Sequence, residues 1–196
     1  MILLRKKSVR LLGAVLTFMV LLSPPGAAAD DSLAAKLTEG GHVLMLRHAY
    51  APGSGDPADF TIGDCTTQRN LNDRGRDQAR AIGHWLRSRG VASARVYSSQ
   101  WCRCLETAEL IGLGPVTQLP ALNSFFQRPQ DREPNLADLR RFLADQVADG
   151  SLIVLVTHFV TISAIAGQGV SSGDGVVLQL DGHGGYRVVA QLGFDS

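Results

Sequence analysis

The seven residues Ser151–Thr157 (SLIVLVT) are almost all apolar and β-branched, and they run straight into His158. β-Branched residues favour strands, and a strand apolar on both faces has to be covered on both. His42–Arg47 (HVLMLR) is a second short apolar run of this kind, ending one residue before His48. Ala94–Ser99 reads as another strand and Val116–Leu122 as a shorter one. Between them lie helical patterns. Asn72–Arg89 places Ala79, Ile82, Gly83 and Leu86 on one face, with Asn72 as N-cap and Gly90 as stop. Cys102–Ile111 ends at Gly112 and Gly114, Leu136–Val147 spaces Leu136, Leu139, Leu143 and Val147 for one face, and Val160–Ala166 opens a further helix. Val176–Leu180 and Tyr186–Leu192, joined by Asp181–Gly185, form a hairpin. Strands alternating with helices imply an α/β fold: a mostly parallel sheet with helices on both faces and a C-terminal antiparallel hairpin at its edge. No internal repeat or linker divides the chain.

The N-terminus reads differently. Arg5, Lys6, Lys7 and Arg10 precede the apolar run Leu11–Leu22, then Pro24, Pro25, Gly26 and the triplet Ala27–Ala29. This is the layout of a secretory signal peptide over residues 1–29, cut after Ala29. The apolar run has 12 residues, short of the roughly 20 that span a bilayer; an uncleaved anchor is the competing reading. The expected product is one domain over residues 30–196, exported to the periplasm or secreted, with no membrane span after cleavage. Without the four N-terminal basic residues, fifteen basic side chains face eighteen acidic ones, a charge of −3. An acidic surface of this kind excludes nucleic acid as a natural partner. At 45% hydrophobic and 19% charged residues, the chain is also not a disordered one. In an oxidising compartment Cys65 can pair with Cys102 or Cys104, leaving one thiol over. No zinc spacing is present, and no metal or organic cofactor is expected.

Parallel strands bring their carboxyl ends to one edge of a sheet, where ligands bind. Three strands here run into Arg47-His48, into Ser98-Ser99 with Arg103 beyond, and into His158. Two arginines suit a phosphate dianion, which a guanidinium fork grips bidentately. A neutral imidazole can accept a phosphoryl group covalently, and a second histidine can donate to the phosphoryl oxygens. His42, His84 and His183 lack such positions and read as structural or surface residues.

These segments resemble those of the histidine phosphatase, or phosphoglycerate mutase-like, superfamily. LMLRHAY (44–50) resembles its strand with Arg-His, and RNLNDRGRDQA (69–79) its helix start. VYSSQWCRCLETAEL (96–110) resembles its Ser-Ser-Pro-x-x-Arg segment, and LVTHFVTISAI (155–165) the segment around its second histidine. The resemblance implies a three-layer α/β/α sandwich, His48 as nucleophile, and Arg47, Arg103 and His158 as a phosphate pocket. It implies a phosphatase acting on a phosphomonoester through a phosphohistidine; the alternatives are a non-catalytic phosphoanion-binding protein, or phosphohistidine or mutase-type phosphoryl transfer. The short chain is similar in size to the compact SixA-like and Ais-like members, so the expected partner is a small phosphorylated substrate, with an envelope sugar phosphate as candidate. Three departures stand out. Gln100 replaces a proline, a change expected to matter little. Asn123 stands in PALNSFFQRP (120–129) near the place of the family's acid, and Phe159 follows His158 where one branch has aspartate. The general acid is thus unassigned; Asp56, Asp59 and Asp64 in the first loop are alternatives for it, each read as a solvated loop carboxylate.

Overall fold

A computed structural model describes residue 33, residues 35–147 and residues 151–194. The signal-peptide reading of residues 1–29 lies outside the described residues. Six strands form one sheet: β1 (His42–Arg47), β2 (Arg95–Ser98), β3 (Val116–Gln118), β4 (Ile153–Thr157), β5 (Gly175–Leu180) and β6 (Tyr186–Leu192). Their order is β3-β2-β4-β1-β5-β6. The β3-β2-β4-β1 pairings are parallel, and β5 runs antiparallel to both β1 and β6. This is the expected mostly parallel α/β sheet with a C-terminal antiparallel hairpin.

The unbroken apolar runs are explained by the two cores. Leu44 and Leu46 of β1, with Val154 and Val156 of β4, face one core packed by helices α1 (Asp73–Ser88) and α2 (Cys102–Ile111). Val43, Met45, Ile153 and Leu155 face the other, packed by α3 (Arg132–Ala144) and α4 (Phe159–Ala166). The central positions of β1 and β4 are therefore apolar because neither face meets water. α1 is capped as its sequence indicates: the Asn72 side chain accepts from the Gly75 N–H, and Gly90 takes φ +87° just beyond. α1 and α2 meet at Gly83, where an added Cβ would stand 2.1 Å from the Ile111 carbonyl oxygen. Only glycine permits that approach.

Two elements differ from the sequence reading. The strand expected over Val116–Leu122 stops at Gln118, and Pro120–Leu122 forms a 3₁₀ turn; proline has no N–H for the ladder. The helix expected over Leu136–Val147 starts at Arg132 and ends at Ala144. Pro134 sits in its first turn, where a missing N–H costs nothing, and Val147 is 66% exposed rather than on the apolar face. Among the described residues, no helix is long and apolar enough to cross a membrane.

The parallel register positions the ends of β1 and β4 side by side. Arg47 pairs with Thr157, and the His48 N–H continues the ladder to the Thr157 carbonyl at 2.9 Å. The next residue on each strand is a histidine. Ser99 likewise donates its N–H to Val156.

Candidate active site

His48 and His158 emerge side by side from β1 and β4, their rings 5.6 Å apart and edge to face. Both are buried, and both line a cavity of about 280 Å³ with Arg47, Arg69, Arg103 and Asp56. All four expected residues thus surround one cavity. His42 is buried under the Glu39 carbonyl, while His84 and His183 lie on the surface, and none of the three lines it.

The tautomer of His48 follows from its neighbours. Its Nδ1 lies 2.7 Å from the Ala49 carbonyl. A carbonyl can only accept, so Nδ1 carries the proton and Nε2 keeps its lone pair. Ala49 is itself held, its N–H donating to Thr107 Oγ1, which donates to the Arg103 carbonyl. Burial, and next the Arg103 guanidinium, push the His48 pKa down to about 3, so the ring is neutral at physiological pH. His158 is also lowered, by burial and then by Arg103. Its Nε2 sits 2.9 Å from Ser99 Oγ. That hydroxyl donates to Asn123 Oδ1 at 3.2 Å, which accepts the Gln100 N–H at 2.9 Å as well; an amide oxygen has two lone pairs and takes both.

The arginines show what the cavity is suited to hold. Arg47 donates from one terminal nitrogen to the Val170 carbonyl, and Arg103 donates from both to Asp56. The Nε–H groups of both are buried without a partner. Buried orphan donors are costly, and two of them on cations beside one cavity mark a seat for an anion. Burial, followed by repulsion from Arg103, lowers the pKa of Arg47 and of Arg69, so the cluster gains from any negative charge bound there.

Asp56 corrects the reading of a solvated carboxylate. Its pair with Arg103 is buried, with side chains 4% and 3% exposed. Oδ1 also accepts the Arg69 N–H and Oδ2 the Trp101 indole N–H, both at 3.0 Å. Burial works to raise the Asp56 pKa; these donors, Arg103 foremost, outweigh it and the net shift is down. Asp59 and Asp64 are exposed, Asp64 capping a 3₁₀ turn. Asn123 does not line the cavity. Nor is Gln100 a neutral replacement for proline, since proline would have no N–H for Asn123.

The loop after β1 is thus a structured wall. Cys65 is bonded to Cys102, leaving Cys104 as the buried free thiol. Gln68 Oε1 accepts the Cys102 N–H and so caps α2 from outside. Arg69 donates to the Gly55 and Ala51 carbonyls, tying the loop to itself. Arg69 opens a motif segment and Asp56 lies in a Gly-Pro-Asp loop; nothing local in either signals that the loop folds back over α2.

Residues 43–126 match the profile of the histidine phosphatase superfamily (branch 1). The match spans 84 of the chain's 196 residues, and over that segment the chain is similar to this superfamily. Over 70 residues, 36% of the chain, it is 34% identical to the mitochondrial serine/threonine-protein phosphatase Pgam5 of Drosophila grimshawi, a match spanning 22% of that protein's length. Its fold is similar to that of the protein histidine phosphatase SixA solved with tungstate, with TM-score 0.56 and 20% identity, covering 77% of this chain and 96% of that one. It is also similar to a phosphoglycerate mutase from Thermus thermophilus, with TM-score 0.52 and 20% identity, covering 79% and 99%. At these identities the two solved structures show a shared fold. Among the described residues, no three His, Cys, Asp or Glu side chains group to hold a metal ion.

Proposed function

We propose that the chain is a phosphatase that hydrolyses a small phosphomonoester through a phosphohistidine on His48. The observation that carries this is the pairing of a histidine whose bare nitrogen is fixed by the Ala49 carbonyl with two orphan guanidinium N–H groups on the same cavity. The phosphoryl oxygens take the Nε–H groups of Arg47 and Arg103, with the His158 ring beside them. His48 Nε2 attacks phosphorus, and the ester P–O bond breaks with its electron pair leaving on oxygen. Water then attacks the phosphohistidine, the P–N bond breaks, and phosphate leaves with Nε2 restored. Charge that develops on the phosphoryl group meets fixed cations in a site with little water, where such stabilisation is largest. A mutase has to retain and return the phosphoryl group inside an enclosing pocket, whereas this cavity opens past the exposed rings of Phe126 and Phe159; hydrolysis is the better reading.

The signal-like N-terminus and the Cys65–Cys102 bond support an exported enzyme, since disulfides persist outside the reducing cytosol. The second reading, a non-catalytic phosphoanion-binding protein, is favoured by one observation: Asp56, the carboxylate lining the cavity among the described residues, has both oxygens engaged. Hydrolysis of para-nitrophenyl phosphate by the full chain and by a folded His48→Ala variant, from pH 4 to pH 8, separates the two. Turnover lost in the variant supports the phosphatase. Vanadate binding without turnover in either protein supports the binding protein.

A further inference from the structure

Away from the arginines, the cavity wall is aromatic. The Phe60 ring packs 5.5 Å from Trp101, and Trp101 meets His158 edge to face at 5.2 Å. The Arg128 guanidinium covers Phe60 at 4.9 Å, and that of Arg47 lies 5.6 Å from the ring of Phe159. Phe126 and Phe159 line the same cavity yet are 61% and 47% exposed. Single exposed apolar side chains are ordinary. Two phenyl rings at the mouth of one cavity, one of them against a phosphate-seat arginine, make an apolar surface beside the point of chemistry.

Part of the polar lining outside the anion seat is already engaged, while Ser54 and Arg128 also line the cavity. Gln127 Oε1 accepts the Asp56 N–H at 2.7 Å, and its Nε2 donates to the Asp56 carbonyl at 3.0 Å. Ser124 Oγ accepts the Phe126 N–H. A sugar brings several hydroxyls, each costly to bury without a partner, and these groups offer few. Ligand pockets run from roughly 300 Å³ upward, so about 280 Å³ holds a phosphoryl group and little more than one ring.

We propose that the leaving-group side of this site is built for an aryl phosphate, with one flat aromatic ring seated against Phe126 and Phe159. The inference rests on the reading of His48 and the arginines as a phosphoryl seat. The chemistry of departure agrees with it. Asp56 is held as a carboxylate by four donors and has no proton to give. When His48 Nε2 takes the phosphoryl group, the P–O bond breaks and its electron pair leaves on a phenolate. A phenolate departs without an enzymic acid and takes its proton from water, whereas an alkoxide leaving group needs that acid.

Calorimetric titration of the full chain with vanadate, phenylphosphonate, methylphosphonate and a hydroxylated alkylphosphonate tests this without turnover. Phenylphosphonate is expected to bind at least roughly tenfold tighter than the other phosphonates, about 1.4 kcal/mol. The advantage is expected to fall below about threefold in a Phe126→Ala/Phe159→Ala double variant, which opens no core because both rings are exposed; an unchanged urea midpoint checks that it is folded. Vanadate binding with no phenyl preference, a preference for the hydroxylated compound, or a preference kept by the double variant overturns the aryl assignment and leaves the seat intact. Failure of vanadate to bind overturns the seat, and the aryl assignment with it.

Discussion

Replacing Asp56 by asparagine should make the protein less stable and its grip on anions tighter. The carboxylate meets Arg103 at 2.8 and 3.1 Å in a pair almost wholly withdrawn from water. Removing one member of such a pair strands the other charge and costs about 3–5 kcal/mol. The amide of the Asp56→Asn variant keeps one acceptor oxygen but turns an N–H₂ toward donors on Arg103, Arg69 or Trp101, so the loss should lie within that range. A bound phosphate or vanadate supplies the missing negative charge. Relieving one like charge within roughly 6 Å of the anion is worth about 3 kcal/mol at an effective dielectric near 20, so affinity should rise by about 100-fold. Urea midpoints with and without vanadate measure the first effect, and phosphate calorimetry the second. A variant that loses less than about 1 kcal/mol, or that binds phosphate more weakly, would refute the view that Asp56 neutralises Arg103.

Three further outcomes rest on the same geometry. The Cys65–Cys102 bond joins positions 37 apart, worth roughly 4 kcal/mol of unfolded-chain entropy; its reduction should lower the urea midpoint and weaken vanadate binding together, because the same loop carries Asp56 and Arg69. His48 and His158 are held below the ordinary histidine value, His48 at about 3. Below about pH 6.5 the unfolded chain therefore binds protons that the folded chain refuses; stability, complete above that pH, should fall by about 1.4 kcal/mol per pH unit for each histidine. Urea midpoints at pH 7, 6 and 5 check it, and a flat profile would contradict it. Gly83→Ala should destabilise by more than about 2 kcal/mol, because the Ile111 backbone stands in the way and the helix-propensity gain of about 1 kcal/mol cannot offset it; a neutral urea midpoint would contradict this.

What the sequence made legible is what lies close along the chain. Runs apolar at every position specify strands covered on both faces, and two of them end at His48 and His158. Parallel pairing then brings these residues together with no further information, as the Arg47–Thr157 register shows. Arg103 was readable because it lies in the first turn of a helix that follows a strand. Asp56 and Arg69 were not. Their positions depend on the loop after β1 folding back onto α2, through a disulfide whose partner was open between Cys102 and Cys104 and through the Gln68 cap. Asn123 illustrates a different limit: a position near that of an expected acid holds an amide that supports Ser99 and Gln100 instead. The periodicity of α3 was visible, but its ends depended on Pro134 being tolerated in a first turn and on Val147 lying outside it.

The central claim is that His48 carries the phosphoryl group. Incubation of the full chain with para-nitrophenyl phosphate, a neutral quench and intact-mass analysis test it directly. The account expects a fraction of the protein to gain the mass of one phosphoryl group, mapped to His48 by fragmentation and absent from a folded His48→Asn variant. Turnover with no phosphorylated protein at any quench time, or equal turnover by that variant, would contradict it.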